Sequence, residues 1–250
     1  MNKVLFILVI YRIAKQQSAA YRSLCQWLSA QEMEDCVYVH DNTINNEFLS
    51  GAYNKGLQRA KERGKMWIVL LDADTCISQE YILFIRNLKN EADVYVPILQ
   101  NSKEKTLSPF WYDKRRGPFF RKYHSAKKNH LLTAFNSGVI LRTDCMEELG
   151  GFSQSYPLDY LDYWLFRKLD FYNKKVEIMP IKLKHELSVE KYGNVSKERY
   201  MSILFSERLF AEEIGEVAIK YYRLRLLFRW IKWYLIGHKY AKETLKAWLK

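Results

Sequence analysis

The chain has 250 residues, 48% of them hydrophobic and 15% aromatic, enough to build one α/β core with a small appendage and too apolar for a disordered chain. No apolar run reaches the ~18 residues expected of a membrane span. The formal net charge of +12 asks for an acidic partner, whether nucleic acid, a phosphorylated substrate or an anionic membrane.

Lys3 to Ile10 reads as the first strand. This apolar start imitates a secretion signal, but Arg12, Lys15 and Gln16 follow at once without a small-residue cleavage site, so the chain is expected to be cytoplasmic. Four cysteines, Cys25, Cys36, Cys76 and Cys145, lack metal-ligand spacing and predict reduced, mostly buried thiols. Tyr21, Leu24, Cys25 and Leu28 recur at helical spacing and predict a helix over about 18–30. Cys36 to His40 is a second strand running into Asp41-Asn42-Thr43. Gly51-Ala52-Tyr53-Asn54-Lys55-Gly56 opens a helix that stops near Gly64, suited to the position after a helix end. The glycines of that segment match neither the dinucleotide fingerprint nor the phosphate loop.

Met66 to Leu71 is an uncharged run that predicts a buried strand, and it delivers Asp72-Ala73-Asp74-Thr75 just past the strand's carboxyl end. The resulting β-α-β-α-β order predicts a doubly wound nucleotide-binding half, whose ligands sit at that edge of the sheet. Two carboxylates one residue apart suit a hard divalent cation such as Mg²⁺ or Mn²⁺, which in turn grips a diphosphate. Asp and Thr after a strand also form turns and helix caps, so the surroundings have to decide.

A helix over about 78–90 and a strand over 93–99 continue the alternation. Residues 101–130 then interleave basic residues with Trp111, Tyr112, Phe119, Phe120 and Tyr123, which fits a solvated loop or contacts to phosphate and sugar rings. Residues 135–141 restore a strand, and a short helix ends at Gly150-Gly151. In Pro157-Leu158-Asp159-Tyr160-Leu161-Asp162 a proline and an early acid mark a helix start. Asp159 and Asp162, three apart, are expected on one face. Beside the core-facing leucines their pKa is tunable for base work. His185 follows a strand over 176–179, where imidazole could join the ligands of an Mn²⁺-like ion.

Residues 193–250 read as helical. Val217, Tyr221, Leu224, Phe228, Ile231 and Leu235 form an apolar stripe, Arg225, Arg229 and Lys232 line another face, and Trp230 and Trp233 flank them. Such a helix suits a membrane interface, or a basic helix packed on its own domain.

In this order the motifs resemble the bacterial family-2 glycosyltransferases of the GT-A fold. They are Asp41-Asn42, Tyr53-Asn54-Lys55-Gly56, Leu71-Asp72-Ala73-Asp74, Asn136-Ser137-Gly138, Gly150-Gly151-Phe152, the acidic segment with Asp159 and Asp162, and His185. The acidic segment is similar in particular to that of rhamnosyltransferase-like members that build surface polysaccharides. The resemblance, carried by residues 3–190, implies an α/β GT-A fold with a mostly parallel central sheet flanked by helices over residues 1–190, and the residue spacing adds a basic amphipathic helical extension over 191–250. It implies an inverting enzyme that moves a sugar from a nucleotide-diphosphate donor, such as dTDP-rhamnose or a UDP-hexose, to a hydroxyl of a growing, lipid-linked surface glycan. Tyr11, Asp41, Asn54, Asp72 and Ala73 would bind the nucleotide-sugar. Asp74 and Asp72, with His185, would hold Mn²⁺ or Mg²⁺. Asp162 would be the base, with Asp159 the alternative. The expected partners are the donor, the glycan acceptor, the inner face of the cell membrane and a second copy in a homodimer, but no nucleic acid.

Two rival readings use the same residues. Asp72-x-Asp74-Thr75 also resembles the nucleophile motif of haloacid-dehalogenase-type phosphatases, although that motif normally lies on the first strand. A non-enzymatic nucleic-acid binder is favoured by charge, but acidic residues at the cleft repel a phosphate backbone.

Overall fold

The structure is a computed structural model that describes residues 1–119, 122–123, 125–185 and 195–249. The chain divides into two compact units, Met1–Pro109 with Thr133–Glu186, and Phe110–Leu132 with Leu187–Lys250. The boundary expected at residue 190 lies outside the described residues. The basic and aromatic segment of residues 110–132 groups with the carboxyl-terminal helices.

In the first unit β1 (Val4–Ile10) is buried at every residue because both faces of the sheet are covered there: Phe6 and Leu8 lie in the apolar cluster on one face, and Ile7 meets Gly56 on the other. β2 (Val37–Asp41) and β3 (Trp67–Asp72) flank it in parallel. β3 then pairs antiparallel with β8 (Ile140–Arg142), and β8 antiparallel with the start of β4 (Val94–Gln100). The end of β4 pairs antiparallel with β5 (Thr106–Ser108), and the opposite edge of β4 carries β9 (Val176–Lys184) in parallel. In this 7-stranded sheet β5 and β8 alone run against the other strands, so it is mostly parallel as expected. One face packs on a large apolar cluster that includes Phe6, Leu8, Val69, Leu71, Tyr81 and Leu99.

Helices cover the sheet. The single helix expected over 18–30 is two, α1 (Ala19–Trp27) and α2 (Ala30–Cys36), because Ser29 and Glu32 form a reciprocal capping box that starts a new helix. α3 (Phe48–Glu62) begins earlier than predicted and ends at Gly64, whose positive φ of 61° is the left-handed turn a glycine takes most readily. Gly56 lets α3 approach β1, since a Cβ there would stand 2.6 Å from two carbons of Ile7. α4 (Gln79–Arg86) follows β3, and α5 (Thr143–Glu148) follows β8.

The strand expected over 135–141 is much shorter. Residues 136–139 form a turn, with Gly138 at φ +78°, and only Ile140 onward joins the sheet. α6 (Leu161–Phe171) starts after Tyr160, itself left-handed at φ +65°. Asp159 therefore precedes the helix and does not share a helical face with Asp162, which corrects the spacing argument. Two of the four cysteines, Cys36 and Cys145, are buried and two are exposed, all of them free thiols, so burial holds for half of them only.

In the second unit β6 (Phe110–Asp113) pairs with β7 (His130–Thr133). They accompany three helices, α7 (Lys197–Ile214), α8 (Glu216–Leu235) and α9 (Ala241–Leu249). Two aromatics of the basic segment pack inward: Tyr112 meets Phe210 edge-on and Phe119 lies 5.6 Å from Tyr222. Glu207, 1% exposed, takes both guanidinium nitrogens of Arg229 at 2.8 and 3.0 Å, with Arg225 3.6 Å away. Arg225 and Arg229 thus turn toward a buried acid instead of forming an outward basic face. The apolar stripe is the outward one, with Leu224, Phe228, Ile231 and Leu235 41–77% exposed. Among the described residues no helix is long and apolar enough to cross a membrane.

Candidate active site

The parallel strands set a row of functional side chains at their carboxyl ends. Registers Ile10↔Asp41 and Val9↔Asp72 bring Asp41, Tyr11 and Asp72 to adjacent strand ends across β2, β1 and β3. Tyr11 is exposed and the Arg12 guanidinium lies 4.9 Å from its ring centroid. Asp41 accepts the Thr43 amide at 2.8 Å. The Thr43 hydroxyl and amide both favour its ionised form and hold its pKa down. The next residue, buried Asn42, accepts from the Glu47 amide and donates to the Phe48 carbonyl, which ties the loop to the first turn of α3.

Asp72, Asp74 and His185 converge. One ligand atom from each can be chosen so that all lie within 4.8 Å of one another. His185 arrives because β9 runs on to Lys184, well beyond the 176–179 expected. The isolated pairing of Cys76 with Lys184 lashes the end of β9 to the turn after Asp74. His185 Nδ1 stands 3.3 Å from Asp74 Oδ1. Two carboxylates and an imidazole fit a divalent cation of the Mn²⁺ type, which accepts both donor kinds. Asp72 is only partly exposed, and burial of its carboxyl raises its pKa to about 6, opposed mainly by the nearby His185.

Tyr53 is a participant that motif matching passed over in favour of its neighbour. Fully buried on α3, it points its hydroxyl at Asp72 Oδ1, 3.4 Å away. Burial raises its pKa first, then Asp72, and Asp162 and Asp74 add to the effect. The charge of Asp162 therefore reaches the same point as the Asp72 and Asp74 pair. The chain between α5 and α6 explains this placement. The Leu49 and Ser50 amides of α3 both donate to the Pro157 carbonyl, and Phe152 packs on the Tyr53 ring at 5.1 Å. Asp162 sits in the first turn of α6, and Asp159 in the half-buried stretch before it.

Two expected nucleotide contacts are engaged elsewhere. Asn54 donates to the Phe152 carbonyl at 2.8 Å and accepts from the Phe152 amide at 2.7 Å, so both ends of its side chain serve a structural clamp. The Ala73 carbonyl accepts from the Ser18 hydroxyl at 2.8 Å and from the Ala20 amide, which secures the start of α1 beneath the aspartate turn.

The sequence profile described as Glycosyl transferase family 2 matches residues 22–150, more than half of the 250 residues. The chain belongs to glycosyltransferase family 2. No curated protein matches it. Among solved structures, S. aureus TarS 1-349 superposes with a TM-score of 0.50 at 11% identity, covering 89% of this chain and 69% of that one. A second S. aureus TarS structure gives 0.51 at 12% identity, covering 90% of this chain but 42% of its own length, so this chain spans less than half of it. At such identity the likeness shows the fold alone, and the fold is the GT-A α/β arrangement expected. Family membership sets aside both the phosphatase and the nucleic-acid-binding alternatives. It makes the chain a glycosyltransferase, with a nucleotide-sugar donor and a glycan acceptor as the family implies.

Proposed function

We propose that this glycosyltransferase is metal-dependent and inverting, with the Asp72, Asp74 and His185 cluster holding Mn²⁺ or Mg²⁺ against the diphosphate of the donor. That cluster is the observation that carries the reading: Asp72 at the end of β3, Asp74 two residues on and His185 just after β9 can each offer one atom so that all three lie within 4.8 Å of one another. A bound cation would offset the charge that builds on the departing nucleoside diphosphate. Asp41 and Tyr11, at the neighbouring strand ends, contact the nucleoside. Asp162 accepts the proton of the acceptor hydroxyl as it attacks the anomeric carbon from the face opposite the leaving group, with Asp159 as the alternative base. The electrostatic reach of Asp162 to Tyr53 supports that assignment.

The donor is dTDP-rhamnose or a UDP-hexose, and the acceptor is a growing surface glycan on a lipid carrier. The chain meets that carrier as a peripheral protein on the inner face of the cell membrane. The support is the outward apolar stripe of α8 in a unit rich in Lys and Arg, a pairing that suits an anionic interface. The second reading is that the stripe is covered by another copy of the chain, because an exposed apolar patch marks an interaction surface of either kind.

Incubation with a panel of nucleotide-sugars, with and without Mn²⁺, tests the activity by following slow donor hydrolysis. Hydrolysis of one donor that depends on the cation and disappears in Asp74→Asn is the expected result. Hydrolysis unaffected by chelation rejects the metal assignment.

A further inference from the structure

Asp72 and His185 come from different strands, and a file of buried hydroxyls joins them. The Asp72 amide donates to Ser137 Oγ at 2.9 Å, Ser137 Oγ lies 2.6 Å from Thr75 Oγ1, and Thr75 Oγ1 lies 2.8 Å from His185 Nδ1. Ser137 and Thr75 are both 0% exposed and His185 is 5% exposed, so these groups satisfy one another and not water.

The loop that carries Ser137 is itself held from several sides. The Gly138 amide donates to the Leu70 carbonyl at 2.7 Å, and the Gly138 carbonyl accepts the buried Tyr81 hydroxyl at 2.6 Å. The positive φ of Gly138 and the 2.8 Å that a Cβ there would leave to Leu183 Cδ1 exclude a larger residue. The Asn136-Ser137-Gly138 motif, otherwise without a part in the chemistry, thereby acquires one.

We propose that Thr75 and Ser137 are positioning residues for the metal site: the hydroxyl pair fixes the ring orientation of His185 relative to Asp72 and Asp74, so a cation meets a preformed ligand set. The inference rests on the metal-dependent reading above. An imidazole torsion is broad by itself, and this ring is held at Nδ1, which has Thr75 Oγ1 at 2.8 Å and Asp74 Oδ1 at 3.3 Å, so Nε2 is the nitrogen offered to the cation. The hydroxyl pair also couples that ring to the backbone at Asp72, which keeps the two sides of the cluster in step. Partners of this outer kind typically control metal affinity by 10- to 100-fold.

The test is Mn²⁺ affinity of the full chain by electron paramagnetic resonance, read beside thermal stability. Thr75→Val and Ser137→Ala should each weaken Mn²⁺ about 10- to 100-fold, whereas Thr75→Ser, which keeps the hydroxyl, should restore nearly wild-type affinity. In the wild-type protein the ¹⁵N resonances of the His185 ring should report one fixed tautomer, a measurement that does not depend on any variant folding. Unchanged affinity in Thr75→Val, a loss that Thr75→Ser does not recover, or a ring proton shared evenly between the two nitrogens overturns the positioning role. If those results come while Asp74→Asn still abolishes Mn²⁺ binding, the metal reading stands and the hydroxyl relay alone falls. If the wild-type chain binds no Mn²⁺ at all, both fall together.

Discussion

The two units divide the charge of the chain unequally. The first unit, Met1–Pro109 with Thr133–Glu186, holds 20 Lys and Arg against 20 Asp and Glu and is formally neutral. The second, Phe110–Leu132 with Leu187–Lys250, holds 20 Lys and Arg against 8 acids and accounts for the whole excess of +12. Read over the entire chain, the basic balance asks for an acidic partner. Around Tyr53 in the first unit the charge has the other sign, since Asp72, Asp162 and Asp74 all raise its pKa. The positive charge belongs to the unit whose α8 exposes the apolar stripe of Leu224, Phe228, Ile231 and Leu235.

The largest effect that would sharpen this contrast is at Asp162. Removal of a general base costs ~10²- to 10⁴-fold in rate, so Asp162→Asn should lose transfer by that factor while donor affinity in calorimetry stays near wild type. If Asp159→Asn behaves in that way and Asp162→Asn does not, the two roles are exchanged.

In the second unit the corresponding weak point is structural. Glu207→Ala leaves Arg229 buried without its acid, a change that costs about 3–5 kcal/mol. Denaturant unfolding should show that loss, and Mn²⁺ binding by the folded fraction should persist. Stability within 1 kcal/mol of wild type would mean that Arg229 escapes to solvent on losing its partner.

A pH series separates the units more gently. Burial raises the Asp72 carboxyl from the ordinary aspartate value to about 6, so folding disfavours its ionised form. This group's contribution to the stability of the metal-free protein is therefore best at acid pH and declines as pH rises through about 4 to 6. Cation affinity should run the other way, falling about tenfold per unit below pH 6 as the ligand is protonated. Mn²⁺ titrations at several pH values check the sign, and affinity flat across that range would remove Asp72 from the ligand set.

The smallest change is expected on the outward stripe. Phe228→Ser should reduce co-sedimentation with anionic vesicles about tenfold, since burying a Phe side chain contributes about 1.5–3 kcal/mol and this one is already partly covered. Binding should also weaken with salt, because the Debye length shrinks to ~3 Å at 1 M. Indifference to the substitution, together with a change in molecular mass by light scattering, would favour a second copy of the chain as the occupant.

The alternation of strands and helices along the first unit, the aspartate turn and the acidic segment were legible in the sequence because each is local. A buried run such as Val4–Ile10 declares itself by being apolar throughout, and Asp72 ends β3 with Asp74 two residues on. Helix boundaries were less legible. The Ser29 and Glu32 capping box that splits α1 from α2 was present as a four-residue signal but was overridden by the apolar spacing around it. The Arg225 and Arg229 face misled for a different reason: the side of a helix a charge occupies says nothing about the acid it will meet, and Glu207 lies on another helix.

By itself, then, the sequence determined the α/β alternation and which residue types end at the carboxyl edge of the sheet, since hydrophobic period and turn chemistry act over a few residues. Only the tertiary structure decided that Asn54 clamps Phe152 and Tyr53 reaches Asp72, that Asp159 lies off the helix of Asp162, and that Ser137, Thr75 and His185 form one file. Those facts join positions up to 110 residues apart, and hydrogen bonds across such separations are chosen by how strands and loops pack, which no local pattern encodes.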